Sequence, residues 1–154
     1  MSVRAAGADG TPEERNEMTS VQRPQDLPTE VFDWGTIKWG VTPDRQSGAP
    51  LTVGDVVVYP TRGHDEHTHP DSDEVLYFVD GEGVQTVGDS GPIPVAAGDF
   101  VFVPRGTVHS TFNTGWRPLR FVATYVPGGA EAALREAPDH VQLPPGEVPV
   151  WVRS

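Results

Sequence analysis

Two short segments of this chain carry residues whose types and spacing suit a metal ion. The first, HTHPDSDE, contains His67, His69 and Glu74, and the second, GDFVFVPRGTVHSTFN, contains His109. Side chains two residues apart on an extended chain point to the same side, so His67 and His69 would present both imidazoles to one face. A carboxylate and a third imidazole from a distant strand would complete a ligand set that suits Fe, Mn, Ni, Cu or Zn. The spacing therefore indicates a metal site.

The first segment resembles the first sequence motif of the cupins, G-x5-H-x-H-x3–4-E-x6-G. His67, Thr68 and His69 are followed by four residues, then by Glu74 and, after six more, by Gly81. One position departs from the motif, because its leading glycine falls at Thr61 and the nearest glycine is Gly63.

The second segment resembles the second cupin motif, G-x5-P-x-G-x2-H-x3-N, without a departure. The matching residues are Gly98, Pro104, Gly106, His109 and Asn113. Two long motifs with fixed spacing, in the right order, are a specific signal, and strand-like flanks extend the likeness to roughly residues 34–126.

The resemblance implies an all-β fold, the double-stranded β-helix or jelly-roll barrel, and one divalent transition metal bound by His67, His69, Glu74 and His109. Iron is favoured, and Mn, Ni, Cu and Zn stay open. Across the cupins the same site serves dioxygenases, decarboxylases, isomerases, lyases, cyclases and binding modules, so the fold alone does not name a reaction. We expect a metal-dependent enzyme acting on a small organic molecule, as a dioxygenase-type oxidoreductase. The alternatives are a non-redox isomerase, lyase or cyclase, and a non-catalytic small-molecule-binding protein.

Short apolar runs separated by turn residues predict the elements that position these side chains. The runs, at residues 36–41, 52–59, 74–79, 83–87, 100–103, 108–113 and 119–126, are punctuated by Gly, Pro, Asp and Asn, which favours a sandwich or barrel. Only residues 130–136 predict a short helix. The predicted organisation is a disordered, flexible N-terminal arm over residues 1–27, a barrel over 28–128, and a short helix with a Pro-rich C-terminal tail over 129–154.

Strand alternation also predicts which other side chains face the barrel interior. Counting in steps of two from Glu74 and from His109 predicts that Leu76, Phe78 and Thr111 face inward. Together with two further aromatic residues they form the set of pocket candidates: Tyr59, Leu76, Phe78, Thr111 and Phe121.

Three polar residues near the motifs are interpreted without a ligand role. His64 lies three residues before His67, so it would face differently on a strand and is left outside the ligand set. Asn113 is expected to be a turn or supporting group, and Arg105 a solvated turn residue.

Composition bounds the partners. The 22 acidic and 11 basic residues give a net charge of −11, which argues against binding to nucleic acid or an anionic membrane. The chain has no cysteine, so disulfides and thiolate ligands are excluded. The N-terminal residues contain no apolar stretch and no run approaches transmembrane length, so we expect a cytoplasmic protein. The expected partner is a small-molecule substrate.

A homodimer is predicted from the segment at residues 31–41. It carries Phe32, Trp34, Ile37 and Trp39, which is more apolar surface than a free arm would tolerate. A second copy of the chain would cover these side chains.

Overall fold

The computed structural model describes residues 21–149, and these form two antiparallel β-sheets. In chain order the strands are β1 (Thr29–Phe32), β2 (Gly35–Val41), β3 (Thr52–Val58), β4 (Gly63–His67), β5 (Asp73–Asp80), β6 (Glu82–Val87), β7 (Ile93–Ala96), β8 (Phe100–Val103), β9 (His109–Phe112), β10 (Leu119–Val126) and β11 (Val141–Leu143). The larger sheet has the order β11-β1-β2-β3-β10-β5-β8, and the smaller sheet has the order β4-β9-β6-β7. One short helix, α1 (Glu131–Leu134), follows β10. The all-β fold predicted from the sequence is confirmed.

Seven of these strands coincide with the predicted runs, and β1, β4, β7 and β11 do not. Strand β4 reads Gly-His-Asp-Glu-His, and β7 contains Pro94, so neither shows the apolar alternation that predicts a strand. Both strands form because a neighbouring strand pairs with them: β9 pairs with β4, and β6 pairs with β7.

Alternating burial along the strands builds one hydrophobic core. Residues of β3 and β10 are buried at every second position, from Thr52 to Val58 and from Leu119 to Tyr125. Burying one large apolar side chain contributes about 1.5–3 kcal/mol, so this shared core is the main source of stability. Its members come from both sheets: Phe32, Ile37, Trp39, Val56, Val58, Leu76, Phe78, Val95, Leu119, Phe121, Ala123 and Tyr125.

The apolar side chains of residues 31–41 do not need a second copy of the chain to cover them, which was the basis of the homodimer prediction. Phe32, Ile37 and Trp39 are buried in the core of their own chain, and Trp34 is half-buried against it. Because β1 and β2 pair with each other, these side chains reach the core without a partner subunit. That argument for a dimer is wrong, while the dimer itself stays a prediction.

The predicted arm and tail are described only in part, since residues 1–20 and 150–154 lie outside the described range. The end of the arm forms a 3-10 turn at Pro24–Asp26, and Leu27 is buried, with its carbonyl accepting a hydrogen bond from Lys38 Nζ at 3.0 Å. The tail supplies β11, which pairs with β1 and therefore belongs to the larger sheet.

Side-chain contacts from the buried Glu30 fasten the C-terminal chain to β1. Its carboxylate contacts His140 and accepts hydrogen bonds from Arg135 Nε at 3.3 Å and Gln142 Nε2 at 3.0 Å. Several donors on one buried carboxylate offset the cost of burying its charge. Among residues 21–149, no helix has the length and apolar character needed to span a bilayer.

The turn before β4 keeps a glycine-like backbone although the glycine of the motif is missing. Thr61 has φ +60°, and no other non-glycine residue in the described range has a positive φ. Left-handed backbone costs roughly 1–2 kcal/mol for a residue with a side chain. Gly63 is needed for a different reason, because a Cβ there would lie 2.6 Å from the Thr111 carbonyl oxygen.

Asn113 closes the turn between β9 and β10, as its expected turn role requires. The buried side chain donates from Nδ2 to the Val58 carbonyl at 3.0 Å and to the Arg117 carbonyl at 2.8 Å. Its Oδ1 accepts a hydrogen bond from the Gly115 amide at 2.9 Å. Three hydrogen bonds fix the end of β9, and so help to fix His109 within the same strand.

We predict that Thr61→Gly stabilises the protein. Relief of the left-handed strain outweighs the greater unfolded-state freedom of glycine, giving a net gain of about 0.5–1 kcal/mol in the free energy of unfolding. Urea denaturation of both proteins measures it. The matched control is Arg62→Gly, at a neighbouring exposed residue without a positive φ, which should lower the free energy of unfolding. Destabilisation by both changes would contradict the strain at Thr61.

Candidate metal centre

The four predicted ligands meet inside the barrel because both sheets contribute to one point. Antiparallel pairing of β4 with β9 sets His67 directly opposite His109. In the larger sheet, Glu74 near the start of β5 lies opposite Tyr125 of β10. His69 lies on the crossover between the sheets, where its carbonyl accepts a hydrogen bond from the Gly106 amide at 2.8 Å. The second motif's glycine thus holds the loop that carries a ligand of the first.

The donor atoms of His67, His69, Glu74 and His109 all lie within 4.8 Å of one another. Glu74 Oε2 is 2.8 Å from His109 Nε2 and 3.6 Å from His69 Nε2. These three atoms are buried, and none has a hydrogen bond of acceptable geometry with the rest of residues 21–149. Buried polar atoms without partners cost free energy, and a cation bound to all of them would remove that cost. The arrangement fits a transition metal.

Backbone carbonyls set the tautomers of two of the imidazoles. His67 Nδ1 lies 2.7 Å from the Asp65 carbonyl, and His109 Nδ1 lies 2.9 Å from the Thr107 carbonyl. A carbonyl only accepts, so each Nδ1 carries the proton and donates it. The Nε2 lone pair of each ring is left for a metal, which is the usual arrangement around a metal-bound histidine.

Burial and the negative charge of Glu74 have opposite effects on the pKa values of the histidines. Burial lowers the pKa of His67 to about 4 and also lowers the pKa of His69. Burial opposes protonation of His109 too, but the adjacent Glu74 carboxylate outweighs it and raises the pKa of His109. Burial alone would raise the pKa of Glu74, yet the neighbouring His109, His69 and Tyr125 hold it below its ordinary value. Glu74 therefore stays ionised, as a metal ligand must.

His64 faces the same cavity as the ligands, which corrects the expectation that it would face differently. Its ring centroid lies 3.9 Å from that of His67 and 4.9 Å from that of Trp34, on which it stacks. The pairing of β4 with β9 shifts register between His64 and His67, so simple alternation fails there. His64 still does not belong to the group whose donor atoms converge. Burial and the neighbouring histidines lower the pKa of His64 to about 3.

The cavity lined by three of the four candidate ligands, His67, Glu74 and His109, is small, with a volume of about 20 Å³. Among the predicted pocket residues, Leu76, Thr111 and Phe121 line it. Thr111 Oγ1 donates to the buried Gln85 Oε1 at 2.5 Å, so its hydroxyl is already engaged. The apolar part of the wall consists of Trp34, Ile37, Val56, Leu76, Phe121 and Leu134.

Two of the predicted pocket residues lie elsewhere. Phe78 points inward as alternation requires, but it is fully buried in the core, with its ring 5.3 Å from that of Phe121, and does not line the cavity. Inward-facing positions farther along the barrel are filled by packing, so facing inward is not the same as facing the site. Tyr59 follows β3, donates its amide to the Trp34 carbonyl at 2.9 Å, and does not line the cavity either.

Tyr125, Trp34 and Leu134 line the cavity but were not among the pocket candidates predicted from the sequence. The ring of Tyr125 lies 4.8 Å from that of His69, and burial raises its pKa, with the Glu74 charge acting in the same direction. Alternation along β10 from Phe121 does point Tyr125 inward, so that signal existed. No comparable signal exists for Trp34 or for Leu134 on α1, since both reach the cavity through tertiary packing alone.

Arg105 lies outside the cavity, as a solvent-exposed turn residue. It forms a two-pronged ion pair with Asp73, with Nε–Oδ1 at 3.2 Å and Nη2–Oδ2 at 2.9 Å. Hydrogen bonds from Arg105 lower the pKa of Asp73 to about 2. The arginine is thus engaged at the surface, beside the strand that carries Glu74.

Comparison with known proteins points to the same fold. A family model described as a cupin domain matches residues 54–125. The germin-like protein 9-3 of Oryza sativa subsp. japonica is 36% identical over 88 residues, which are 54% of this chain and 40% of that protein. The chain thus spans about two fifths of the length of that relative.

Two solved structures superpose well on this chain. A predicted oxalate decarboxylase of Thermotoga maritima is 24% identical with a TM-score of 0.60, over 70% of this chain and 98% of that one. The oxalate decarboxylase of Lactobacillus farciminis, in a formate complex, is 25% identical with a TM-score of 0.61, over 68% of this chain and 32% of that one.

We predict that Glu74→Gln and His109→Ala each lower metal affinity by at least about 10–100-fold while the barrel stays folded. The first change removes the charge that neutralises a divalent cation, and the second removes a ligand. Metal content by mass spectrometry and folding by far-UV circular dichroism measure the two effects separately. Glu66→Gln, an exposed carboxylate of β4, is the matched control and should keep full metal content. Full metal content in Glu74→Gln would show that Glu74 is not a ligand.

We also predict that the chelator-treated protein loses stability as the pH falls from about 6.5 to about 4. His64 and His67 ordinarily titrate at 6.5, but in the folded state their pKa values are about 3 and about 4. Between these values the unfolded chain binds more protons than the folded one, so acid favours unfolding. The raised pKa of His109 has the opposite effect on the free energy of unfolding as the pH falls, but it concerns one group only.

Urea denaturation at a series of pH values measures this dependence. His64→Gln should make the free energy of unfolding depend less steeply on pH in this window, because one of the contributing groups is gone while His67 and His69, whose pKa values are also lowered, remain. The same steepness in the variant would mean that His64 is not held neutral by the fold.

Proposed function

Because this chain belongs to the cupin superfamily and carries a His/Glu group suited to a metal, we propose that it is a metal-dependent enzyme acting on a small organic molecule. We place it among dioxygenase-type oxidoreductases, with one divalent transition metal, iron in first place, held by His67, His69, Glu74 and His109. The observation that carries the proposal is the convergence of buried donor atoms that have no hydrogen-bond partner among the described residues.

The ligand set supports this reaction class. Imidazoles with one carboxylate resemble the ligands used for Fe(II) and dioxygen. An ion held by His67, His69, Glu74 and His109 would supply redox chemistry. A metal site that also leaves room for a substrate is typical of a catalytic site and not of a closed structural one. In a dioxygenase reaction both atoms of dioxygen enter the organic molecule, which is oxidised as dioxygen is reduced.

The cavity wall supports a small reactant in a dry site. A volume of about 20 Å³ holds little more than one water-sized molecule. Apolar side chains such as Ile37, Leu76 and Phe121 keep bulk water from this space. An organic substrate therefore needs Trp34 or Leu134 to move, and these two side chains would select its size and shape.

Charge in the wall supports an electrically neutral substrate, or one whose charge the metal balances. None of the described residues lining the cavity is an arginine or a lysine. His64 is neutral at physiological pH, since burial lowers its pKa to about 3. It offers a hydrogen bond to a substrate rather than a positive charge.

The second candidate is a non-redox reaction in which the metal polarises a carboxylate, ending in decarboxylation. The likeness to the oxalate decarboxylase of Lactobacillus farciminis favours it. So does the small cavity, which suits a compact acid better than a ring system. The absence of an arginine or lysine from the cavity wall argues against decarboxylation. The metal alone would have to balance the negative charge of a doubly ionised acid.

Oxygen consumption tests the proposal. We expect protein purified without chelators to contain iron and to consume dioxygen in the presence of one member of a panel of small oxygenated organic molecules. Chelation and Glu74→Gln should each reduce the rate by at least about 10-fold, whereas Glu66→Gln should not change it. An oxygen electrode, carbon dioxide detection and mass spectrometry of the products provide the measurement.

Each other outcome selects another function. Carbon dioxide release without net dioxygen consumption would replace the oxidation by the decarboxylation. A panel member that binds and is recovered unchanged would indicate a binding protein.

A further inference from the structure

Tyr125 of β10 is a buried tyrosine that lies directly opposite Glu74. Antiparallel pairing of β10 with β5 sets the two residues side by side, and side chains opposite each other in a sheet share one face. Tyr125 also lines the cavity at the candidate metal centre. Its hydroxyl donates a hydrogen bond to the Glu74 carboxylate. Tyr125 therefore contacts a candidate ligand without being one of the four.

The ring of Tyr125 is held in place by two neighbouring rings. It packs edge-on against His69, with the ring centroids 4.8 Å apart, and is tilted against Trp39 at a distance of 6.1 Å. Its backbone is fixed as well, because β10 pairs with β3 on one side and with β5 on the other. A hydroxyl on so constrained a ring has little freedom, so it fixes the direction from which Glu74 accepts its hydrogen bond.

Packing alone does not explain why this position carries a hydroxyl. The other buried positions of β10 are Leu119, Phe121 and Ala123, whose side chains contain only carbon and hydrogen. A phenol buried at the next inward position loses its hydrogen bonds to water, and only a partner inside the protein offsets that loss. Because Glu74 is that partner, the hydroxyl serves the carboxylate and not the core.

We propose that Tyr125 is a positioning residue whose hydroxyl holds the Glu74 carboxylate in the orientation that presents Oε2 to the metal, an inference that rests on the metal site of the proposed function. Oε2 lies 2.8 Å from His109 Nε2 and 3.6 Å from His69 Nε2, so it faces the other donor atoms. It has no hydrogen-bond partner of its own among residues 21–149. Without the hydroxyl, the carboxylate could rotate about its last bond and turn Oε2 away.

The small cavity gives this orientation a consequence for the reactant. Glu74 itself lines the cavity, whose volume of about 20 Å³ holds little more than one water-sized molecule. A carboxylate that changed its orientation would change the shape of this space. A fixed Glu74 therefore keeps the same room available for a molecule that binds beside the metal.

Binding of Co(II) to the metal-free protein tests this role without a substrate. Competition with a chelator measures the affinity, and the visible absorption of bound Co(II) reports the geometry of its ligands. Tyr125→Phe keeps the ring and removes only the hydroxyl. We expect the Co(II) affinity to fall by at least about 10-fold and the absorption spectrum to change. The matched control is Tyr77→Phe, which removes the same hydroxyl from the exposed face of β5 and should leave both measurements unchanged.

A second background separates positioning of Glu74 from a role in packing. In Glu74→Ala the carboxylate is absent, so adding Tyr125→Phe should lower the Co(II) affinity by less than about 2-fold. Replacement of Tyr125 by 4-aminophenylalanine, whose amino group also donates a hydrogen bond, should restore the affinity that Tyr125→Phe loses. An equal loss in both backgrounds, or no restoration by the amino group, would overturn the proposal.

The same titrations distinguish failure of this role from failure of the proposed function. Equal Co(II) affinity of the unaltered protein and Tyr125→Phe would overturn the role of Tyr125 and leave the metal site standing. An unaltered protein that bound no Co(II) would overturn the metal site, and the role of Tyr125 with it.

Discussion

The contact between the carboxylate of Glu74 and the imidazole of His109 is the interaction on which the site depends. It joins the two sheets where they face each other, with Oε2 and Nε2 2.8 Å apart. His67 is held by pairing with the strand of His109, and Tyr125 by pairing with the strand of Glu74. The Glu74 carboxylate is buried, so its negative charge needs other buried partners. His69, on the crossover between the sheets, is one of these partners. A metal ion at this point would complete the charge balance that the protein alone leaves open.

The chain beyond the two motifs decides how much room remains beside that contact. Leu134 reaches the cavity because α1 is tied down at Glu131, whose carboxylate accepts hydrogen bonds from Thr52 Oγ1 at 2.7 Å and the Gly129 amide at 3.1 Å. Glu30 holds the following segment against β1. The size of the cavity is thus set by residues that have no part in the candidate ligand set. This separation is one physical reason why proteins with the same four ligands can serve different reactions.

Local patterns in the sequence were enough for most of the strands and for the ligand group. Strands such as β3 and β10 show the two-residue alternation of a half-buried sheet, which any buried face imposes. The candidate ligands were visible because a metal site restricts residue type and spacing together, as in His67, His69 and Glu74. Strands β4 and β7 were not predicted, since they exist through pairing and not through an apolar pattern.

By itself, then, the sequence determined the all-β class, most of the strands and the four residues that converge. Only the tertiary structure decided which inward-facing residues reach the site, because that depends on their height along the barrel and on packing from distant segments. Phe78 and Leu76 share one face of β5, yet Leu76 lines the cavity and Phe78 fills the core. His64 reaches the cavity through a register shift, and Trp34 through packing that joins residues far apart in the chain. Neither depends on local spacing, which is all that a single sequence displays.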